Sequence, residues 1–448
     1  MKKVLFKLVV LTSAVAAASQ ALADDAVPEV TAVTMTQISH RNVKIDYTVA
    51  NAPAVITVDI ETNDANGAWV SIGGEHIQRI SGDCWKKVQP GAHTLRWDPS
   101  VDWPGHKVVD GGARAVVKAW ATDNTPDYMV VDISDSAQPD TQKYYPSVEF
   151  LPGGLLKNPD YRTTSVVMRK IMAKDVEWTM GSATYAEGYY IREKDHKVTL
   201  RKNYYIGVFE VTQLQWEILM KAAGRGADIY RCSHFNCFQD YTMRPVEKVC
   251  YWHIRKSATL ADDPTYDYPA DPCPDSYLGL LRTRTGIDFD LPSEAQWEFA
   301  CRAGHADMKW GDGSSFGGSS PDANLDRLGR YKDNDGYVAG EAPAQGCSAE
   351  HGTAVVGSYA PNDWGLYDMA GNVWEWALGA YKEDITDKTE GQPVNENDPT
   401  RVAVKIPARG GSWCDVAPTC RISYRFDLDG SQRANFLGFR LACYAGLE

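Results

Sequence analysis

Apolar residues follow two regimes along the chain. In the first quarter they alternate with polar ones, as Val43, Ile45, Tyr47 and Val49 and then as Ile56, Val58 and Ile60. A period of two puts one set of side chains on a buried sheet face. Further short runs at Trp69–Ile72, His93–Trp97, Arg114–Ala121 and Tyr128–Ile133 are parted by turn residues such as Asn51-Ala52-Pro53, Asn63-Asp64 and Pro90-Gly91. Six or seven short strands at this spacing predict an all-β sandwich of immunoglobulin or fibronectin-III type over residues 24–138. The polar stretch from Ser134 to Lys143 reads as a linker.

Beyond it, over 145–448, long loops rich in Gly, Asp, Asn and Trp predominate, with short strands at best. Two helices are legible. Thr212 and Gln215 form a capping box ahead of Trp216–Met220, with Gly224 as a stop; Ser293 and Gln296 form a second ahead of a helix ending near Arg302, with Gly304 beyond. Irregular loops of this length need bound ions or disulfides to fix them.

The ten residues Tyr367–Trp376 fit neither period. They hold three aromatic rings, Asp368 and Glu375, with Gly371 available for a sharp turn. Two carboxylates and inward-turned carbonyls suit calcium, which takes six to eight oxygens. A Trp-rich turn whose Glu375 caps backbone N–H groups is the other reading.

Charge and targeting narrow the class. A formal net charge of −13 over 448 residues argues against nucleic acid or an anionic membrane as partner. Lys2, Lys3 and Lys7 precede an apolar run from Leu8 to Ala18, and Ala21-Leu22-Ala23 offers a cleavage site. Residues 1–23 are thus expected to be a signal peptide, with the mature chain exported to a periplasm or secreted and without a membrane span. All ten cysteines follow that site, and an oxidising compartment favours disulfides, Cys232–Cys237 being the nearest pair. The nine histidines are scattered, which disfavours a nonheme iron site; no Gly-x-Ser-x-Gly elbow or glycine-rich phosphate loop occurs.

Seven motifs then occur in one order: Met180-Gly-Ser182, Phe209-Glu-Val-Thr-Gln213 with Trp216, Leu291-Pro-Ser-Glu-Ala-Gln-Trp-Glu298, Trp364-Gly-Leu-Tyr-Asp368, Gly371-Asn-Val-Trp-Glu-Trp376, Arg409-Gly-Gly-Ser-Trp413 and Leu437-Gly-Phe-Arg-Leu441. Together they resemble the formylglycine-generating enzyme, or sulfatase-modifying factor, family. The resemblance implies an α+β, C-type-lectin-like fold with two calcium ions. One site would use Asn324, Leu325, Asp335 and Tyr337, the other Asp368, Gly371, Val373 and Glu375. It also implies oxidation of a cysteine in a sulfatase-like protein to formylglycine, with dioxygen and copper(I) held by two cysteines. Cys414 and Cys420 would hold the copper, and Trp374 and Ser412 would bound the oxygen pocket.

The cysteine spacing departs from that pattern. Active members place the first cysteine two residues after the aromatic residue and the second five later. Here Cys414 follows Trp413 directly and Cys420 lies six further on. The resemblance therefore also allows a structural Cys301–Cys420 disulfide, leaving Cys414 to pair with Cys443 or another thiol, or to stay free. Two functions follow: a copper oxidase acting on an exported sulfatase, or a non-catalytic, calcium-stabilised lectin-like module binding a protein or glycan at the cell surface.

Overall fold

A computed structural model describes residues 26–106, 112–184, 191–236, 240–256, 271–334, 352–379 and 405–447. The expected signal peptide, Cys237, Cys347, Asp335 and Tyr337 lie outside the described residues. The chain divides into two compact units at Thr125/Pro126. Among the described residues no helix is long and apolar enough to cross a membrane.

The first unit contains two antiparallel sheets. One has the order β1 (Glu29–Ser39), β2 (Asn42–Ala50), β7 (Gly91–Trp97), β5 (Ile80–Gly82). In the other, β3 (Ala54–Asn63) pairs with β4 (Trp69–Ser71), β6 (Lys87–Val88) and β8 (Ala113–Ala121). The alternating residues read from the sequence are the core: Val43, Ile45, Tyr47 and Val49 of β2 and Ile56, Val58 and Ile60 of β3 are all buried. β1 gave no such signal because none of its 11 positions is buried, so no hydrophobic period is imposed on it.

The strand expected to close the first unit belongs to the second. β9 (Tyr128–Asp132) pairs with β10 (Lys143–Tyr145) and β11 (Ser165–Ile171) in a five-stranded sheet of order β10-β9-β11-β14-β19, with β14 at Tyr204–Gly207 and β19 at Ala442–Tyr444. The boundary therefore precedes the residue-138 boundary expected from composition. The polar stretch after β9 is anchored in the second unit: Arg284 donates to the carbonyl of Ile133 at 2.8 Å, and Asp140 N–H to that of Thr285 at 3.0 Å. The stretch lacks apolar anchors, and these polar bonds fix it instead.

The second unit is mixed α and β, with more strand than the sequence suggested. β12 (Val176–Met180) pairs with β13 (His196–Leu200). A four-stranded sheet runs β17 (Phe426–Asp429), β16 (Lys405–Arg409), β15 (Trp374–Trp376), β18 (Leu437–Gly438), with β15 and β18 parallel. Both predicted helices form with both halves of their capping boxes, over Gln213–Ala222 and Glu294–Arg302. A third helix, Tyr277–Thr285, was missed; Ser276 caps its start and Gly286 ends it at φ +72°.

Helix Glu294–Arg302 lies at the centre of the core. Its Trp297, Phe299, Ala300 and Cys301 pack with Tyr204, Ile206, Leu366, Met369 and Ile422. A second cluster joins Trp310, Phe316, Leu325, Leu328, Tyr331, Ala370, Ala417 and Cys420. These clusters wall the loops that carry the motifs.

Candidate functional site

The turn after β16 positions the sulfur-bearing loop. Gly410 and Gly411 adopt φ of +98° and +73°, the left-handed region that favours glycine. A Cβ on Gly411 would stand 2.5 Å from Cys420 Sγ, so only glycine lets the turn lie against that thiol. Upstream, the fully buried Arg409 donates to Glu298 and to the carbonyl of Ile422. Downstream, Trp413 donates its backbone N–H to Asn372 O at 2.8 Å and its indole N–H to Asn435 O at 3.0 Å.

Three expected site residues come together there around one that was not expected. Ser412 Oγ donates to Asp415 Oδ2, and Trp374 Nε1 donates to the same oxygen at 2.9 Å. The Cys414 thiol lies 3.4 Å from Ser412 Oγ and donates to it, since that hydroxyl's proton is given to Asp415. Burial raises the Asp415 carboxyl above the usual range, against the opposing pull of Ser412 and Trp374. Asp415 Oδ1 meets no donor among the described residues.

Cys420 has a different environment. It is fully buried in the second apolar cluster, and burial pushes its thiol well up, with Asp415 and Cys414 adding to the effect. The thiolate needed for soft-metal ligation is thus disfavoured as the loop stands. No disulfide joins the eight described cysteines. Cys301 directs its thiol at Met369 O, 3.5 Å away, and belongs to the other cluster. Cys232 directs its own at Glu247 O. Among the described residues no three His, Cys, Asp or Glu side chains converge to hold a metal ion.

The Tyr367–Trp376 stretch is a tight turn entering β15. Asp368, Gly371 and Asn372 have φ of +56°, +88° and +60°. A Cβ on Gly371 would sit 2.2 Å from Arg330 O. Asp368 and Glu375 lie in one buried cluster with Glu210 and Arg440. Glu375 is spent: Arg440 holds it at 2.5 and 2.6 Å, and Trp297 Nε1 donates to it at 2.7 Å. These partners are side chains, so Glu375 does not cap backbone N–H groups. Glu210 accepts from Asn372 Nδ2 at 2.6 Å and Val373 N–H at 3.2 Å.

Asp368 is the exception. Its Oδ2 accepts from Gly357 N–H at 2.7 Å, while its buried Oδ1 has no partner. Burial raises Asp368 to about 6, and burial with Asp368 and Glu375 nearby raises Glu210 well above the carboxylate range. With Glu210 held toward its protonated form, Asp368 and Glu375 still outnumber the one guanidinium, that of Arg440. An orphaned hard oxygen in such a place fits a calcium ion.

Of the other calcium set only Asn324 and Leu325 are described. Both backbone N–H groups bond to Asp322 Oδ1, and Asn324 Nδ2 donates to Ser315 O at 2.8 Å.

Sequence reasoning missed Asp415, Glu210 and Arg440. Each lies in or beside a quoted motif. Asp415 stands two residues after Trp413, where the active pattern has its first cysteine. That registration was the available signal.

Residues 151–445 match the family described as the sulfatase-modifying factor enzyme 1-like domain. The chain belongs to this family. It is 34% identical over 165 residues to a formylglycine-generating enzyme of Streptomyces coelicolor, covering 35% of this chain and 47% of that one. It is 32% identical over 162 residues to the inactive C-alpha-formylglycine-generating enzyme 2 of Bos taurus, covering 35% and 44%. It is 26% identical over 253 residues to the chaperone protein LppX of Paenibacillus barcinonensis, covering 53% and 79%. The match thus spans less than half of both formylglycine-generating relatives. Among solved structures, Treponema denticola variable protein 1 is similar at 24% identity and a TM-score of 0.43, over 63% of this chain and 96% of that one. PvdO from Pseudomonas aeruginosa is similar at 22% identity and a TM-score of 0.44, over 62% and 94%.

Proposed function

We propose that this chain is a non-catalytic member of the formylglycine-generating enzyme family, binding a peptide or protein segment at the Ser412–Asp415 loop. The observation that carries the reading is the Asp415 carboxylate. It takes the place of the first copper cysteine and ties together Ser412 and Trp374, the two groups expected to bound the oxygen pocket. A carboxylate is a hard donor, and copper(I) prefers thiolates. Cys420, which keeps the second position, is sealed among apolar side chains. The inactive relative and the chaperone relative agree with a binding role.

The second reading is oxidation of a peptidyl cysteine in an exported sulfatase with dioxygen and copper. It is favoured by Cys414, whose half-buried thiol lies beside Ser412.

The two part on copper. We expect copper(I) titration of the reduced protein to show no tight stoichiometric site, and a cysteine-containing peptide incubated under oxygen to keep its mass. Asp415→Cys, which restores the family spacing, gains a copper site shared with Cys420. A tight site in the wild-type protein that Cys414→Ala or Cys420→Ala abolishes, together with peptide oxidation, sinks the non-catalytic reading.

Calcium enters in narrower form, as one ion at Asp368 with carbonyls such as those of Gly371 and Val373. A second ion would use Asn324, Leu325, Asp335 and Tyr337. The two sheets of the first unit support a sandwich serving as a spacer, and the Lys2-to-Ala23 pattern supports export to a periplasm or the cell exterior.

A further inference from the structure

An edge strand exposes a row of unpaired N–H and C=O groups that can template pairing with another chain. Folded proteins blunt such edges by keeping them short or charged. The first unit does so at most of its edges. β4, β5 and β6 are three, three and two residues long, and β8 carries Arg114 and Lys118. β1 is neither short nor charged. It has 11 residues, stands at the end of the order β1-β2-β7-β5, and pairs with β2 alone. Its stretch Val30-Thr-Ala-Val-Thr-Met-Thr-Gln-Ile-Ser39 holds no charge, glycine or proline. Such uncharged, β-branched runs favour strand pairing. β8 of the other sheet approaches β1, yet among the described residues no backbone hydrogen bond joins the two.

The side chains of β1 are also left incomplete. Val30, Val33 and Met35 stand opposite Val49, Tyr47 and Ile45 of β2. Residues directly opposite share a sheet face, so these three lie on the core side. Their β2 partners are at most 2% exposed, whereas no position of β1 is buried and Val33 is 37% exposed. β1 thus overhangs the core with apolar groups on its inner face. Bulges at Val30/Ala32 and Gln37/Ser39 bound a regular run from Ala32 to Gln37, which sets the length of strand that can be added.

The charges flanking that run say what fits it. Glu29 precedes it, and His40 and Arg41 follow it. The same strand laid antiparallel brings the Glu29 end of each copy to the His40–Arg41 end of the other, so opposite charges meet twice. Arg41 Nε lies 3.5 Å from Asp98, but 65% of its side chain is exposed.

We propose that β1 pairs with β1 of a second copy of this chain, antiparallel about Thr34, joining two four-stranded sheets into one. Val33 of each copy then lies opposite Met35 of the other and covers it. The interface is made by the first unit alone and is independent of the reading given to the Ser412–Asp415 loop.

The test is sedimentation equilibrium of the full chain. So short a strand pair is a small interface, so the range to cover is about 1 µM to 1 mM. The mass should rise from one chain toward two, and amide hydrogen exchange over residues 32–37 should slow across the same range. Val33→Lys supplies the inward-pointing charge that protected edges use; it should weaken association at least about tenfold. Glu29→Arg should weaken it as well, and adding Arg41→Glu, which reverses both charges, should restore it. A one-chain mass throughout, association indifferent to Val33→Lys, or no recovery in the double variant overturns the inference. Should Val33→Lys lower the melting temperature, the charge reversal decides, because it alters only exposed side chains.

Discussion

Arg440 holds both carboxylate oxygens of Glu375, at 2.5 and 2.6 Å, with neither side chain more than 1% exposed. The pair ties β15 to the segment after β18, and Arg440 also donates to the carbonyls of Gly207 and Tyr367 at 3.0 Å. Removing the guanidinium leaves the buried carboxylates without an opposing charge. Arg440→Met should therefore cost about 3–5 kcal/mol in urea unfolding. A cost below about 1 kcal/mol, the range of exposed pairs, would show that the pair is not buried in solution.

Calcium should act through Asp368. At a hundredfold excess over its dissociation constant, one ion adds about 2.7 kcal/mol. Thermal melting should shift upward with calcium and return with chelator, and Asp368→Asn should remove most of the response. Melting indifferent to both additions would take calcium out of the account.

Glu247 predicts a pH dependence. It is fully buried, with Oε1 accepting from Phe235 N–H at 2.9 Å and Oε2 without a partner. Burial pushes its carboxyl up to about 8, against bonds from the Phe235 and His234 backbone that pull it down. The folded state thus holds this proton more tightly than the unfolded one. Stability from the group is complete below the unfolded value near 4.5 and is lost as pH rises toward about 8. Glu247→Gln mimics the protonated form. Its stability relative to wild type should grow by about 1.4 kcal/mol per pH unit across that window. A constant difference from pH 5 to 8 contradicts this.

Two glycines separate strain from collision. Gly224 and Gly411 have φ of +70° and +73°, yet a Cβ on Gly224 meets nothing within 4 Å while one on Gly411 meets Cys420 Sγ at 2.5 Å. Gly224→Ala should cost about 1–2 kcal/mol, the left-handed penalty alone. Gly411→Ala should cost more and should also disturb the Trp374 indole resonance. Equal costs would mean that the loop moves away from Cys420 freely.

The sequence by itself determined what depends on near neighbours. Period-two burial in β2 follows from alternation, and the two capping boxes follow from residues three apart. The ordered motifs marked where Ser412, Trp374 and Asp368 would matter. Tertiary structure decided which distant groups meet. It gave β9 to the second sheet, because strand pairing depends on partners at 143–145 and 165–169 rather than on the strand's own pattern. It spent Glu375 on Arg440, 65 residues away, and joined Trp374 to Asp415 across 41. A carboxylate's role is fixed by what neutralises it, and local sequence does not contain that partner.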